Sequence, residues 1–150
     1  MKVVIQRVQS AQVSVDQKIV GQINSGLLLL VGIEDADEED DISWLSKKIL
    51  NMRIFPDEEK PMNRSVQDIS GQLLVVSQFT LHASTKKGNR PSFVKAAAPE
   101  KARLLYEQLI DRLKIESALP IESGRFGKMM EVSLINDGPV TIILDSKNKE

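Results

Sequence analysis

Few residues of this chain can do chemistry, and their scarcity narrows what that chemistry can be. Its 150 residues include no cysteine and a single histidine, His82. Disulfides, thiolate nucleophiles and zinc–cysteine sites are excluded, and so is a histidine pair for acid–base relay. Only carboxylate-rich sites suited to hard ions would be left for a metal, so neither a metal nor a cofactor is expected. No Gly-x-Ser-x-Gly elbow, Walker loop or dinucleotide glycine fingerprint occurs. What remains is Ser77-Gln78-Phe79-Thr80-Leu81, directly after an apolar run. Polar groups where a buried strand runs out are presented by rigid backbone, a common place for a site. If the strand continues, alternation sets Gln78, Thr80 and His82 on one face and Ser77, Phe79 and Leu81 on the other. Thr80 and His82 would then be placed as nucleophile and base. No orienting acid lies near them in sequence, and lone histidines are more often packing or surface residues.

A second constellation is Asn136-Asp137-Gly138-Pro139-Val140-Thr141. Asp-Gly is a turn signal and proline cannot donate to a ladder, so local chemistry reads as a tight turn between strands 130–135 and 140–145. The other reading keeps Gly138-Pro139 for backbone geometry, with main-chain carbonyls turned outward. Gly124-Arg125-Phe126-Gly127 is open in the same way: its glycines permit close backbone approach, and a bulge explains them equally well.

Net charge is −1, which argues against a protein that holds nucleic acid by bulk charge. The charge is segregated, however. Residues 34–41 hold seven acids in eight positions, while residues 69–99 contain no acid but carry Lys86, Lys87, Arg90 and Lys95. Such a basic stretch is either a solvated loop or a local phosphate-facing patch.

These groups must be held by something. A chain of this size folds to roughly 7,600 Å² from about 24,000 Å² unfolded, enough for one domain, residues 1–150, with a core and no staples. Residues 3–15 and 19–23 are β-rich around a turn at Asp16-Gln17-Lys18, and residues 27–33 follow a turn at Asn24-Ser25-Gly26. Leu27-Leu28-Leu29-Leu30-Val31 is continuously apolar, which predicts a strand covered on both faces. The acidic block leads into a helix with Ile42, Leu45, Ile49 and Met52 at helical spacing, its acids placed where the dipole favours them. That placement explains the seven acids without a metal. Residues 53–55 and 72–81 read as strands. A second helix begins near Pro99 with Ala102, Leu105, Leu109 and Leu113 on its apolar face. Residues 121–145 are again β-rich. The sum is an α+β domain in which a mainly antiparallel, barrel-like sheet is covered by two helices. No apolar run approaches the ~20 residues of a membrane span. Residues 1–7 lack the apolar core of a signal peptide. A cytoplasmic protein without a membrane partner is expected.

Together, Ser77-Gln78-Phe79-Thr80-Leu81 and Asn136-Asp137-Gly138-Pro139-Val140-Thr141 resemble the two signatures of the D-aminoacyl-tRNA deacylases, also called D-tyrosyl-tRNA deacylases. The likeness runs through Val4-Ile5-Gln6-Arg7-Val8, Arg53-Ile54-Phe55 with Met62-Asn63, Arg90-Pro91-Ser92-Phe93 and Gly124-Arg125-Phe126-Gly127. It implies a β-barrel-like homodimer with active sites at the subunit interface. The implied reaction is hydrolysis of the ester joining a D-amino acid, or glycine mischarged on a non-cognate tRNA, to the terminal adenosine of tRNA. That is a chiral proofreading step in translation.

The resemblance assigns roles position by position. Ser77, Gln78, Phe79 and Thr80 line the pocket for the aminoacyl group and adenosine, partly through their backbone, with Thr80 and Gln78 at the chemistry. Gly138 and Pro139 match a Gly-cisPro pair that screens chirality. Arg7 and Met129 lie in matching segments and support the pocket. Lys86, Lys87 and Arg90 become candidate contacts to the tRNA acceptor end. Thr80 stands as nucleophile or as pocket lining; the family's use of the substrate's own ribose hydroxyl suits a chain with one histidine. His82 falls outside the signature. Two rivals remain: a nucleic-acid-binding module without catalysis, and a different small hydrolase on the same scaffold.

Overall fold

In the computed structural model, which describes residues 1–150, strands β1 (Lys2–Val15) and β2 (Lys18–Ile23) form a hairpin. It turns on Asp16 and Gln17, whose φ angles of 50° and 64° are both left-handed. Such a two-residue turn matches the twist of the strands it joins. Strand β3 (Gly26–Gly32) returns antiparallel to β1. Helix α1 (Glu39–Asn51) then carries the chain over to β4 (Gln72–Ser77), which runs parallel to β3. Helix α2 (Pro99–Glu116) carries it to β5 (Ile121–Ser123), parallel to β4. Parallel neighbours require crossovers of this kind. Strand β6 (Glu131–Asp145) finally runs antiparallel along β1, from Ser14↔Glu131 to Lys2↔Asp145. Antiparallel pairing therefore centres on β1 and parallel pairing on β4, a mixture that the strand patterns alone do not reveal. The sheet curls until β2 meets β5, and Gly21 makes that approach possible: a Cβ there would lie 2.8 Å from the Ser123 carbonyl oxygen.

Two apolar cores lie on the two faces of this sheet. Leu27, Leu29, Leu73 and Val75 face the helices, against Ile42, Leu45 and Ile49 of α1 and Leu105, Leu109 and Leu113 of α2. Leu28, Leu74 and Val76 face the inside of the curl, with Ile23, Ala11 and Val13. The continuous apolar run of β3 is thus covered on both sides, as its lack of alternation predicts.

Strands β1 and β6 behave differently, because each changes core partway. Val3 and Ile5 belong to the helix-covered core, as do Val140, Ile142 and Leu144. Val8, Ala11 and Val13 belong to the other, as do Val132 and Leu134. The switch falls where the β1–β6 register shifts, at Gln6/Val8 and Val8/Ser10. There the four residues 137–140 stand opposite Arg7 alone. The expected tight turn between strands 130–135 and 140–145 is therefore corrected. A turn would reverse the chain, whereas both halves of β6 pair with β1 in one direction, so the feature is a bulge.

Two other expectations need revision. Residues 53–55 form no strand, only a single bridge between Phe55 and Arg64. The strand expected over 72–81 stops at Ser77, and Phe79–His82 is a 3-10 turn.

The acidic block is used in pairing. The Met1 ammonium, fully buried, contacts the buried Asp37 carboxylate and the Ser146 hydroxyl. Asp41 accepts from the Glu38 N–H and from Lys147 Nζ, each at 2.8 Å. Burial alone would raise the Asp41 carboxyl, but hydrogen bonds from Lys147, Ser146 and the Glu38 backbone outweigh it and bring its pKa down to about 2.

Candidate active site

The polar end of β4 opens onto a cleft of about 570 Å³. It lies at the carboxyl ends of the parallel pair β3–β4, where open sheets commonly bind ligands. Val31 and Val76 form its floor; Ala97, Pro99 and Ala102, at the start of α2, form one wall; Phe126 to Met130 form another. Most of the lining is apolar, and its polar side chains are Ser77, Gln78 and Lys128.

Backbone packing seats the turn that carries these residues. Val31↔Ser77 is the last pair of the β3–β4 ladder, and the Gln78 N–H still reaches the Val31 carbonyl at 2.7 Å. Beyond it, β3 ends in Gly32. A Cβ on Gly32 would sit 2.9 Å from Leu81 Cβ and 3.0 Å from the Gln78 carbonyl oxygen. The missing side chain lets the turn settle onto the strand end, where continued extension would carry it past its partner. Thr80 is exposed, and its hydroxyl accepts from the Gln78 side-chain amide. His82 is buried with Nε2 unpartnered, its ring against Gly32. The strand alternation that would align Thr80 with His82 therefore does not exist. An amide cannot take a proton from Thr80, so the turn lacks a general base for that hydroxyl.

Aromatic contacts order the walls. Phe79 is 58% exposed yet meets Phe93 edge to face, with ring centroids 5.1 Å apart. Nearby, Ser84 and Ser92 exchange both backbone hydrogen bonds, at 2.8 and 2.9 Å. The basic loop between them is therefore pinned at its base beside the cleft. Lys86, Lys87 and Arg90 project from that loop into solvent and do not line the cleft. On the other wall, Phe126 packs on the Tyr106 ring and under the Arg103 guanidinium, at 5.7 and 5.4 Å. Tyr106 is held in turn by its hydroxyl donating to the Val75 carbonyl at 2.8 Å. Burial pushes the Tyr106 pKa up to about 12, so it stays a neutral donor. Met129, which lines the same wall, is 91% exposed.

Arg7 and Gly138-Pro139 form a separate cluster outside this chain's cleft. The buried Arg7 donates from Nε to the Asp137 carbonyl at 3.2 Å and from Nη1 to the Ile54 carbonyl at 2.6 Å. Its Nε also lies 3.1 Å from the Asp137 carboxylate. Gly138 and Pro139 are exposed at the bulge, and the peptide between them is cis. Ser77, Gln78, Phe79 and Met129 are thus brought together in one cleft. Thr80 sits exposed next along the chain, and Arg7, Gly138 and Pro139 stand apart. Sequence reasoning missed Lys128, the one charged residue of the lining. It follows Gly127, whose φ of +75° places it after a tight turn, and that glycine was the only available signal. No three His, Asp or Glu side chains converge as a metal site would require.

Known proteins match this arrangement over its whole length. Residues 4–145 match the family model described as D-Tyr-tRNA(Tyr) deacylase. A protein named D-aminoacyl-tRNA deacylase from Flavobacterium psychrophilum is 61% identical over 150 residues, covering all of both chains. One of the same name from Flavobacterium johnsoniae is 57% identical with equal coverage. Among solved structures, the c-Myc DNA Unwinding Element Binding Protein superposes with a TM-score of 0.92 at 39% identity, covering 97% of this chain and 98% of that one. A probable eukaryotic D-amino acid tRNA deacylase superposes with a TM-score of 0.82, covering 95% and 97%; at 18% identity it speaks to the fold. With fold, both motifs and full-length identity in agreement, the chain belongs to the D-Tyr-tRNA(Tyr) deacylase family.

Proposed function

We propose that this chain is a D-aminoacyl-tRNA deacylase that releases free amino acid and tRNA. The observation that carries this reading is the apolar cleft at Ser77–Phe79, in a chain that matches the family end to end. A cleft of about 570 Å³ suits a terminal adenosine with its aminoacyl group. An aminoacyl ester is an activated bond, so hydrolysis can proceed by positioning and electrostatic stabilisation without a strong protein base. The first N–H groups of a 3-10 turn have no acceptor within it. Those of Phe79 and Thr80 are therefore the backbone donors available to a developing oxyanion. Gln78 holds the Thr80 hydroxyl, and the proton shuttle falls to the substrate's ribose hydroxyl. Thr80 is pocket lining in this reading, not a nucleophile.

Gly138 and Pro139 form the wall that rejects L-amino acids while glycine, without a side chain, passes. Because the pair lies outside its own chain's cleft, the wall is supplied by a second copy, and the homodimer is the active unit. The chain exposes 8880 Å², about 1,300 Å² more than a folded monomer of this mass. Phe79, Val94 and Met129 contribute to that excess beside the cleft. Lys86, Lys87, Arg90 and Lys128 meet the phosphates of the acceptor end. Arg7 supports the wall rather than the substrate. Residues 1–150 act as one domain, and no helix is long and apolar enough to cross a membrane; a cytoplasmic site fits a tRNA substrate.

Matched D- and L-aminoacyl-tRNA test the reading, with turnover of the D form and rejection of the L form expected. Affinity for nucleic acid with no ester turnover would favour a binding module instead, in keeping with the DNA binding for which the 39%-identical structural neighbour is named. Turnover of simple esters regardless of tRNA would favour a different hydrolase.

A further inference from the structure

The bulge in β6 needs something to hold its base. Between the pairs Gln6↔Thr141 and Val8↔Asn136, β1 supplies one residue and β6 supplies four. Carbonyls that face such an excursion lose their strand partners, and buried carbonyls require replacements. Asn136 provides them. Its Nδ2 donates to the Arg7 carbonyl at 2.9 Å, across the ladder, and to the Val140 carbonyl at 3.0 Å, across the base of the bulge. Both amide hydrogens are spent fixing where residues 137–139 leave and rejoin the strand. Arg7 acts further out, on Asp137. A Cβ on Gly138 would meet Val140 Cγ2 at 2.8 Å and Arg7 Nη2 at 3.1 Å, so the loop has no slack on that side.

We propose that Asn136 is a specificity-determining positioning residue, which sets where Gly138 and Pro139 stand and thereby the ratio of D to L turnover. This rests on the reading of that pair as the chiral wall. Exclusion by a wall depends on its position to within a fraction of an ångström. Turnover of the accepted enantiomer depends instead on the cleft, which Asn136 does not line. Loosening the base of the bulge therefore admits the wrong enantiomer before it harms the right one.

The experiment compares kcat/KM on matched D- and L-aminoacyl-tRNA for the wild type, Asn136→Ala and Asn136→Ser, each with its thermal midpoint. Asn136→Ala removes both donors, and turnover of the L form should rise about tenfold while that of the D form stays within about threefold. Asn136→Ser retains one donor and should fall between, by about threefold in the ratio; if the alanine variant does not fold, the serine variant decides alone. A folded variant with an unchanged ratio, or with equal losses on both enantiomers, overturns the proposal. A wild type without enantiomer preference overturns the underlying reading, and is recognised before any variant is made.

Discussion

At the end of β4 the chain is held by its own backbone, whereas the bulge in β6 is held by two side chains. The turn Phe79–His82 rests on Gly32 and on the Gln78 N–H bond to Val31. The bulge hangs from the Arg7 guanidinium and the Asn136 carboxamide. The two modes fail differently. A backbone-seated turn tolerates changes in the side chains it displays but not a new atom beneath it. A side-chain-held bulge keeps its strand while losing its position.

The largest effect should come from filling the seat. Gly32→Val places methyl groups where even a Cβ is too close to Leu81 and the Gln78 carbonyl. A shift of about 1 Å in a positioned group can cost roughly 100-fold in rate, so kcat/KM on D-aminoacyl-tRNA should drop by about that factor with the fold retained by circular dichroism. An unimpaired variant would show that the turn is not backbone-seated. Arg7→Ala should act on the other region, leaving the Ile54 and Asp137 carbonyls without their donor. A loss of about 2–3 kcal/mol in urea unfolding is expected. Arg7→Lys should recover only part, since an ammonium lacks the planar fork that spans both acceptors.

The charged network at α1 provides a reference outside both regions. The Asp41 pKa is about 2 in the folded protein against a usual value of 3.8. Its stabilisation, about 2 kcal/mol, is complete above roughly pH 4 and lost as pH falls towards 2. Asp41→Asn should remove it at neutral pH and flatten that acid limb, leaving the D/L ratio untouched. Thr80→Ala should lower turnover by less than about tenfold, because nothing in the turn can take a proton from its exposed hydroxyl; near-complete loss with a trappable acyl-enzyme would make it the nucleophile. Smallest of all, dialysis against a chelator should change nothing, and activity that vanished and returned with zinc or magnesium would refute the residue census.

The same contrast explains what could be read from the residues. The bulge announces itself, because Asn136-Asp137-Gly138-Pro139 contains both the tie and the break, although local chemistry alone reads it as a turn. The direction of pairing decides between the two, and that is a long-range property. The seat under the turn left only Gly32, a lone glycine at a strand end, so extending the strand to residue 81 was the natural reading of an alternating segment. A continuous apolar run and helical spacing place β3, α1 and α2 because burial alone sets them. The parallel pairs of β4 depend on how crossovers pack. Lys128 belongs to the cleft only through the turn at Gly127.

The pairing of β6 with β1 along its whole length has a consequence for biogenesis. More than a hundred residues separate these strands, so the ladder closes only after β6 itself has left the ribosome. Until then the apolar edge of β1 waits unpaired, open to other chains. Contacts of such sequence separation also slow folding, because loop-closure entropy is lost before the ladder rewards it. Of the six strands, the one that carries Gly138 and Pro139 is therefore the last to dock, and the selectivity proposed for that pair arrives only with it.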